Sequence, residues 1–339
     1  LIKKARDVSM NEKLLEIKHL TAGFKYDGVW TKVIHDVSYD VRRGEILGVV
    51  GESGSGKSVT VKNVLRLLPK ETSRVFEGEI LYEGRDLLKL KNKEICSIRG
   101  NKISMIFQEP MTSLNPVYTC GNQIMEAVML HQHVDKKTAR AKAEEMLKLV
   151  GMSMPEERLK NYPHELSGGM RQRVMIAMAL CSNPSLLIAD EPTTALDPTI
   201  QAQILELIGE LQKKLGMSVL YITHDLGVVA ELCHRVVVMY AGMVMEVAQT
   251  EDLFSKPAHP YTQGLMKAMP RMNSGGERLN SIEGVVPHIT EMPKGCHFHP
   301  RCPYATELCR QSCPPMTDLG NGHQVRCHLA DRGREEEQA

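Results

Sequence analysis

The sequence of 339 residues predicts an α/β fold with a largely parallel core sheet. Three observations carry this. Short apolar, β-branched runs alternate with segments whose apolar residues recur at helical spacing. A glycine-rich turn joins one such run to one such segment. A helix-dominated stretch near 110–182 separates two of the runs.

In chain order, "EILGVVG" (45–51) is a continuous apolar run closed by glycine, the pattern of a strand buried on both faces. "KSVTVKNVLRLL" (57–68) follows as a helix, and "ISMIFQ" (103–108) is the next strand. Within the insertion, "TARAKAEEMLKLV" (138–150) and "GGMRQRVMIAMAL" (168–180) have helical spacing, and the methionines of the second read as core packing. "SLLIAD" (185–190) and "SVLYITH" (218–224) are strands, with "TIQAQILELIGELQKKL" (199–215) as the helix between them. "RVVVMYAGMVMEV" (235–247) reads as a hairpin. From Pro257 onward prolines and histidines multiply and periodicity fades, which places a boundary near 256–260. The expected organisation is a main domain over 12–256 and an extension over 257–339, whose charged end "DRGREEEQA" is expected to be disordered.

Composition limits the function. A formal net charge of +1 gives no broad attraction to nucleic acid, and 4% aromatic residues are too few for a base-stacking surface. No apolar run approaches the roughly 20 residues that span a bilayer. "LIKKARDVSM" lacks the apolar segment of a signal peptide, so a cytoplasmic setting with reduced thiols is expected. The ordered pattern begins with "LLEIKHL", and Met10 is the expected natural start.

"GESGSGKS" (Gly51–Ser58) fits G-x-x-x-x-G-K-[ST] between a strand and a helix. Glycines allow successive N–H groups to face a phosphate, and the helix N-terminus adds partial positive charge. A chance match arises in on the order of 1% of chains this long, and the flanking elements lower that further. Lys57 would reach the β- and γ-phosphates and Ser58 would bind Mg²⁺. Expected nucleotide contacts are Gly51, Glu52, Ser53, Gly54, Ser55, Gly56, Lys57, Ser58 and Val59. "LLIADEP" (186–192) ends a buried run in Asp190, expected in the Mg²⁺ shell, and Glu191, expected to polarise the attacking water.

"LSGGMRQR" (Leu166–Arg173), just ahead of Asp190, resembles the signature motif of ATP-binding cassette (ABC) proteins. Gln108 in "MIFQEP", "ALD" at 195–197 and His224 in "YITHDL" follow that family's order over roughly residues 12–250. Position 170 departs from the pattern, with Met in place of the usual Gln. The resemblance implies an N-terminal antiparallel β subdomain and a helical subdomain inserted at about 110–182. It also implies ATP bound between two subunits, with Ser167, Gly168 and Gly169 of one chain closing on the γ-phosphate held by the other. Gln108 would join Mg²⁺ and couple to a membrane partner, and His224 would meet the γ-phosphate. Phe24 is the expected adenine-stacking aromatic, with Tyr26 and Trp30 as rivals and a core role for Phe24 equally open.

Longer stretches, "MIFQEPMTSLNPVYTCGNQIMEA" and "HPYTQGLMKAMPR" among them, are similar to the ATP-binding subunits of bacterial dipeptide and oligopeptide importers. That resemblance implies an ATPase on the cytoplasmic face of the inner membrane. Its partners would be a sister ATPase in a heterodimer, two permeases and an extracytoplasmic binding protein, with no nucleic acid. Nickel or glutathione uptake is the alternative cargo, and a soluble ABC ATPase outside transport is a further alternative.

Gly295–Pro315 holds four of the nine cysteines, and Cys327 follows. The short C-x-x-C knuckles of zinc ribbons are absent. The same resemblance implies a four-iron, four-sulfur cluster on Cys296, Cys302, Cys309 and Cys327, with Zn²⁺ on three cysteines and a histidine as the alternative. Cys313 is left over, able to replace Cys309 or Cys327 or to stay free. Cys96, Cys120, Cys181 and Cys233 stand singly among apolar residues and are expected to be small core side chains.

Overall fold

The computed structural model describes residues 12–108, 113–194, 196–269 and 282–330. The expectations for Met10, Ala195 and the charged tail lie outside the described residues. The chain opens with β1 (Lys13–Tyr26), β2 (Val29–Arg42) and β3 (Ile46–Val50), then α1 (Lys57–Val64). β4 (Ser73–Tyr82), β5 (Arg85–Asp86), α2 (Asn92–Ile98) and β6 (Ile103–Ile106) follow. The inserted helices are α3 (Cys120–Gln132), α4 (Lys136–Leu149), α5 (Pro155–Arg158) and α6 (Gly168–Leu180). Next come β7 (Leu186–Asp190), α7 (Pro198–Leu215), β8 (Ser218–Thr223) and α8 (Leu226–Leu232). The remainder is β9 (Arg235–Tyr240), β10 (Met243–Gln249), α9 (Thr250–Ser255), α10 (Pro260–Lys267), α11 (Glu307–Gln311), β11 (Thr317–Gly320) and β12 (His323–Val325). These elements form two compact units, one built mainly on Lys89–Ile222, the other on Leu15–Asp40, Ile46–Leu88 and the chain from Thr223.

In the first unit β6, β7 and β8 pair in parallel, with Ile103 opposite Leu186 and Leu186 opposite Ser218. Every residue of β7 and β8 is buried, which is why both read as unbroken apolar runs. The helices around them carry clear start signals. Thr119, Asp135, Ser167 and Asp197 each accept a hydrogen bond from the third amide of the helix they precede, and α7 has proline at its first position. The α7 helix ends on Gly216 in the left-handed region, φ 65°. Helix α2 buries Ile95 and Ile98 on one face, so Cys96 lies on the other and is exposed. The expectation of a core role for Cys96 is therefore corrected, whereas Cys120, Cys181 and Cys233 are buried.

The second unit holds an antiparallel sheet in the order β2-β1-β4-β5. Its other sheet segment is mixed. β3 is parallel to β9, and then β9, β10, β12 and β11 run antiparallel in turn. Residues from the far end of the chain thus extend the sheet that carries β3. Glu246 on β10 organises this region. It is fully buried, accepts from the amides of Ala258 (2.8 Å) and His259 (2.9 Å), and meets the His323 ring at 2.7 Å. Burial alone would raise its carboxyl, but the His323 ring and these amides outweigh that and hold it below the usual carboxylate range. Arg235 pairs with Asp40 (3.2 Å) and Arg326 with Asp36 (3.1 Å), so β9 and the 326 segment are tied to the β2 strand.

Half-buried His35 and buried His259 contribute to the pH response of the second unit. Desolvation by burial, with the His297 and Lys32 charges added for the first, pushes His35 and His259 down to about 4. Between their ordinary value near 6.5 and about 4, the unfolded chain binds protons that the folded chain refuses. Their contribution to stability is complete above about pH 6.5 and is lost as the pH falls toward 4. Thermal denaturation from pH 7 to 4.5 is expected to show a falling midpoint, with a shallower fall in His35→Phe. A flat profile would contradict the assignment.

Candidate nucleotide site

In the second unit the turn from β3 into α1 leaves no room for side chains at two glycines. Gly51 has φ +156°, and a Cβ there would lie 2.1 Å from the Met239 carbonyl oxygen. Gly56, the residue before α1, has φ +95°, and a Cβ would meet Ile34 at 2.6 Å. Between them, Ser53 and Gly54 form the exposed tip. Lys57 is buried and its ammonium lies across the loop, donating to the carbonyls of Gly51 (2.7 Å) and Glu52 (3.1 Å) and to Ser55 Oγ (3.4 Å). Ser55 is itself buried and its carbonyl accepts from the Gly242 amide at 3.1 Å. Ser58 and Val59 stand half-buried in the first turn of α1.

Glu52 is held at both its amide and its side chain. The amide donates to Tyr261 Oη at 3.0 Å, and the carboxylate receives the Arg301 guanidinium at 2.6 and 3.2 Å. Neither partner was expected from the sequence. Both lie more than 200 positions away, and no local pattern marks them.

The aromatic candidates separate by exposure. Phe24 is half-buried on β1 opposite Ser73. Tyr26 is 43% and Trp30 36% exposed, and Trp30 meets Phe76 edge to face at 6.2 Å. The cations of Lys32 and Arg74 lie 5.8 and 5.6 Å from the Phe76 ring, making an aromatic–cation group that no pattern in the sequence marks. His224 is exposed just past β8, beside Asp225, which caps α8 through the Gly227 amide at 2.8 Å.

In the first unit the end of β7 assembles the acidic pair. Asp190 is 2% exposed. Glu191 turns out of the strand with φ 47°, a left-handed conformation that costs a non-glycine residue on the order of 1 kcal/mol or more. Its amide is tied to the Ile222 carbonyl at 3.0 Å. Its carboxylate accepts from Gln108 Nε2 (3.2 Å) and Thr194 Oγ1 (3.1 Å) on the same oxygen. Gln108 and Glu191 are thus brought together as a pair, and Thr194 is an addition. Its place three residues after Glu191 in "DEPTTALD" was the available signal.

The signature segment opens α6. Ser167 Oγ accepts from the Met170 amide at 3.4 Å, so position 170 serves the cap through its backbone, whatever its side chain. Ser167 and Gly168 are exposed. A Cβ on Gly169 would approach Ile200 Cγ2 to 2.7 Å, so this glycine also lets α6 pack on α7.

Cys296, Cys302, Cys309 and Cys327 line one enclosed hollow in the second unit, with His259, Phe298 and His328 in its wall. Burial pushes the Cys296 thiol up to about 12 and raises Cys302 and Cys327, with neighbouring cysteines adding to each shift. Cys313 is exposed, faces Met243 Sδ at 3.9 Å and does not line the hollow. Among the described residues no three His, Cys, Asp or Glu side chains converge on a point that would hold a metal ion.

Comparison with known proteins agrees with this geometry. The ABC transporter family model matches residues 34–194, and the model for the oligopeptide/dipeptide transporter C-terminal region matches residues 245–309. The dipeptide transport ATP-binding protein DppD of Haemophilus influenzae is 51% identical, over 93% of this chain and 95% of its own. The oligopeptide transport ATP-binding protein OppD of Bacillus subtilis is 50% identical over 94% and 89%. Among solved structures, a dimeric ATP-binding cassette in a post-hydrolysis state with ADP and Pi is 28% identical, with a TM-score of 0.62 over 70% of this chain and 98% of that one. Loop, acidic pair and signature helix, together with relatives matched nearly end to end, place the chain in the family of ABC transporter ATP-binding proteins, in the branch with the oligopeptide/dipeptide C-terminal region.

Proposed function

We propose that the chain is the ATP-hydrolysing subunit that energises import of di- or oligopeptides through an ABC transporter. The observation that carries the catalytic reading is the Glu191 carboxylate, aimed by a left-handed backbone turn and steadied by Gln108 and Thr194. A carboxylate so held accepts a proton from water as that water attacks the γ-phosphate in line, giving ADP and phosphate.

The other roles follow from residue chemistry. The amides of Gly51 and of Ser53 to Val59 receive the phosphates, while that of Glu52 is held by Tyr261 Oη. Lys57, which spans the loop carbonyls in this structure, shifts its ammonium onto the β- and γ-phosphate oxygens. The oxygen donors Ser58, Asp190 and Gln108 are the kind Mg²⁺ takes, and the contact of Gln108 with Glu191 uses its nitrogen, so the amide oxygen is the atom a cation would bind. Bound Mg²⁺ would neutralise charge on the phosphates. His224 contacts the γ-phosphate and Phe24 stacks on adenine. Ser167 keeps its hydroxyl proton while accepting from Met170, so it can donate to the γ-phosphate of a sister subunit, with Gly168 and Gly169 presenting amides. Closure over ATP therefore joins this chain to a sister ATPase as a heterodimer.

No described helix is long and apolar enough to cross a membrane. Attachment to two permeases, served by an extracytoplasmic binding protein, makes the subunit peripheral on the cytoplasmic face. The organisation proposed is a catalytic domain over 12–256, with its helical part at about 110–182, and a C-terminal extension over 257–339. We also propose that Cys296, Cys302, Cys309 and Cys327 ligate a four-iron, four-sulfur cluster. The four thiols line one hollow and are the donor set that such a cluster takes. The cysteines must lose their protons on binding it, and its role would be to brace the extension.

Glu191→Gln is expected to keep ATP binding while phosphate release falls about 10²–10⁴-fold, read in single-turnover assays. Full turnover in that variant would remove the role assigned to Glu191. Anaerobic purification is expected to give brown protein containing iron and acid-labile sulfide. Colourless, iron-free protein would remove the cluster, and stoichiometric zinc would assign the thiols to that ion. Reconstituted with its permeases, the ATPase is expected to be stimulated by peptide-loaded binding protein, and stimulation by nickel or glutathione instead would reassign the cargo.

A further inference from the structure

The phosphate loop contains a carboxylate where an anion must bind. Glu52 follows Gly51 directly, and an ionised side chain there opposes a triphosphate by simple repulsion. Arg301 cancels this charge. Its side chain is only 5% exposed, and its guanidinium forms a two-pronged contact with Glu52, 2.6 Å to Oε2 and 3.2 Å to Oε1. Its remaining donors are occupied by the carbonyls of Ile282 and Glu283, each at 3.0 Å, and by Tyr240 Oη at 3.4 Å. The fork is therefore fixed in place before it meets the carboxylate. From the same part of the chain, Tyr261 Oη takes the Glu52 amide at 3.0 Å. Tyr261 is fully buried and packed against Tyr240 and Phe298, with ring centroids 4.7 and 5.3 Å away.

We infer that Arg301 and Tyr261 are positioning residues for ATP. They act through Glu52, Arg301 by removing its charge from the phosphates and Tyr261 by withdrawing its amide from them, so that the other loop amides face the ligand. This inference rests on the reading of 51–58 as the ATP loop. It makes the region after residue 257 a working part of the nucleotide site.

Equilibrium binding of ATP and steady-state hydrolysis, measured on the full chain with its sister subunit, test this. Wild-type protein that fails to bind ATP would overturn the underlying reading, independently of any effect at Arg301. With wild-type binding in hand, Arg301→Met is expected to raise the Kd and KM for ATP roughly tenfold, while kcat at saturation changes less than twofold. Arg301→Lys, which keeps the charge and loses the fork, is expected to fall between the two. The decisive arm is Glu52→Gln combined with Arg301→Met. Removing the stranded carboxylate is expected to restore most of the affinity, whereas simple structural damage would leave the double variant as weak as the single one or weaker. An unchanged Kd in Arg301→Met, or no recovery in the double variant, overturns the inference. If Arg301→Met does not fold, the exchange Glu52→Arg with Arg301→Glu carries the same test. Loss of ATP affinity in the folded exchange variant would count against charge cancellation.

Discussion

The structure depends on one constraint: the backbone between β3 and α1 must pass so close to its surroundings that two positions admit no side chain. Gly51 lies against the Met239 carbonyl and Gly56 against Ile34. A loop so tightly seated cannot satisfy its own carbonyls through regular structure, and Lys57 does this instead. One ammonium thus ties two successive carbonyls of the turn together. The sheet strands β3 and β9 and the hairpin that follows serve largely to hold this turn still.

The acidic pair in the first unit follows a different logic. Asp190 stays inside the strand's burial, while Glu191, one residue further, is thrown into left-handed backbone and held there by its amide and two side-chain donors. The strain is local and is offset by bonds to Ile222, Gln108 and Thr194. Two adjacent carboxylates thereby acquire different surroundings.

Much of this was legible in the sequence. Runs such as "SLLIAD" and "SVLYITH" announced buried strands because both of their faces are covered. Capping residues and Gly216 marked helix ends through local hydrogen bonds and backbone freedom. The motif residues could be placed because their chemistry is carried by short, ordered patterns. What stayed hidden was set by distance along the chain. β12 adds to β10 after more than 70 intervening positions, giving a mixed sheet where parallel pairing dominated the expectation. The partners of Glu52 come from still further away. Cys96 was misread for a smaller reason. Its neighbours are apolar in sequence, yet helix geometry turns it away from Ile95 and Ile98.

Arg301 is followed at once by Cys302, so a single peptide bond separates the cation that faces the phosphate loop from a thiol of the buried hollow. The side chain that grips Glu52 and a sulfur of the hollow thus share one short stretch of backbone.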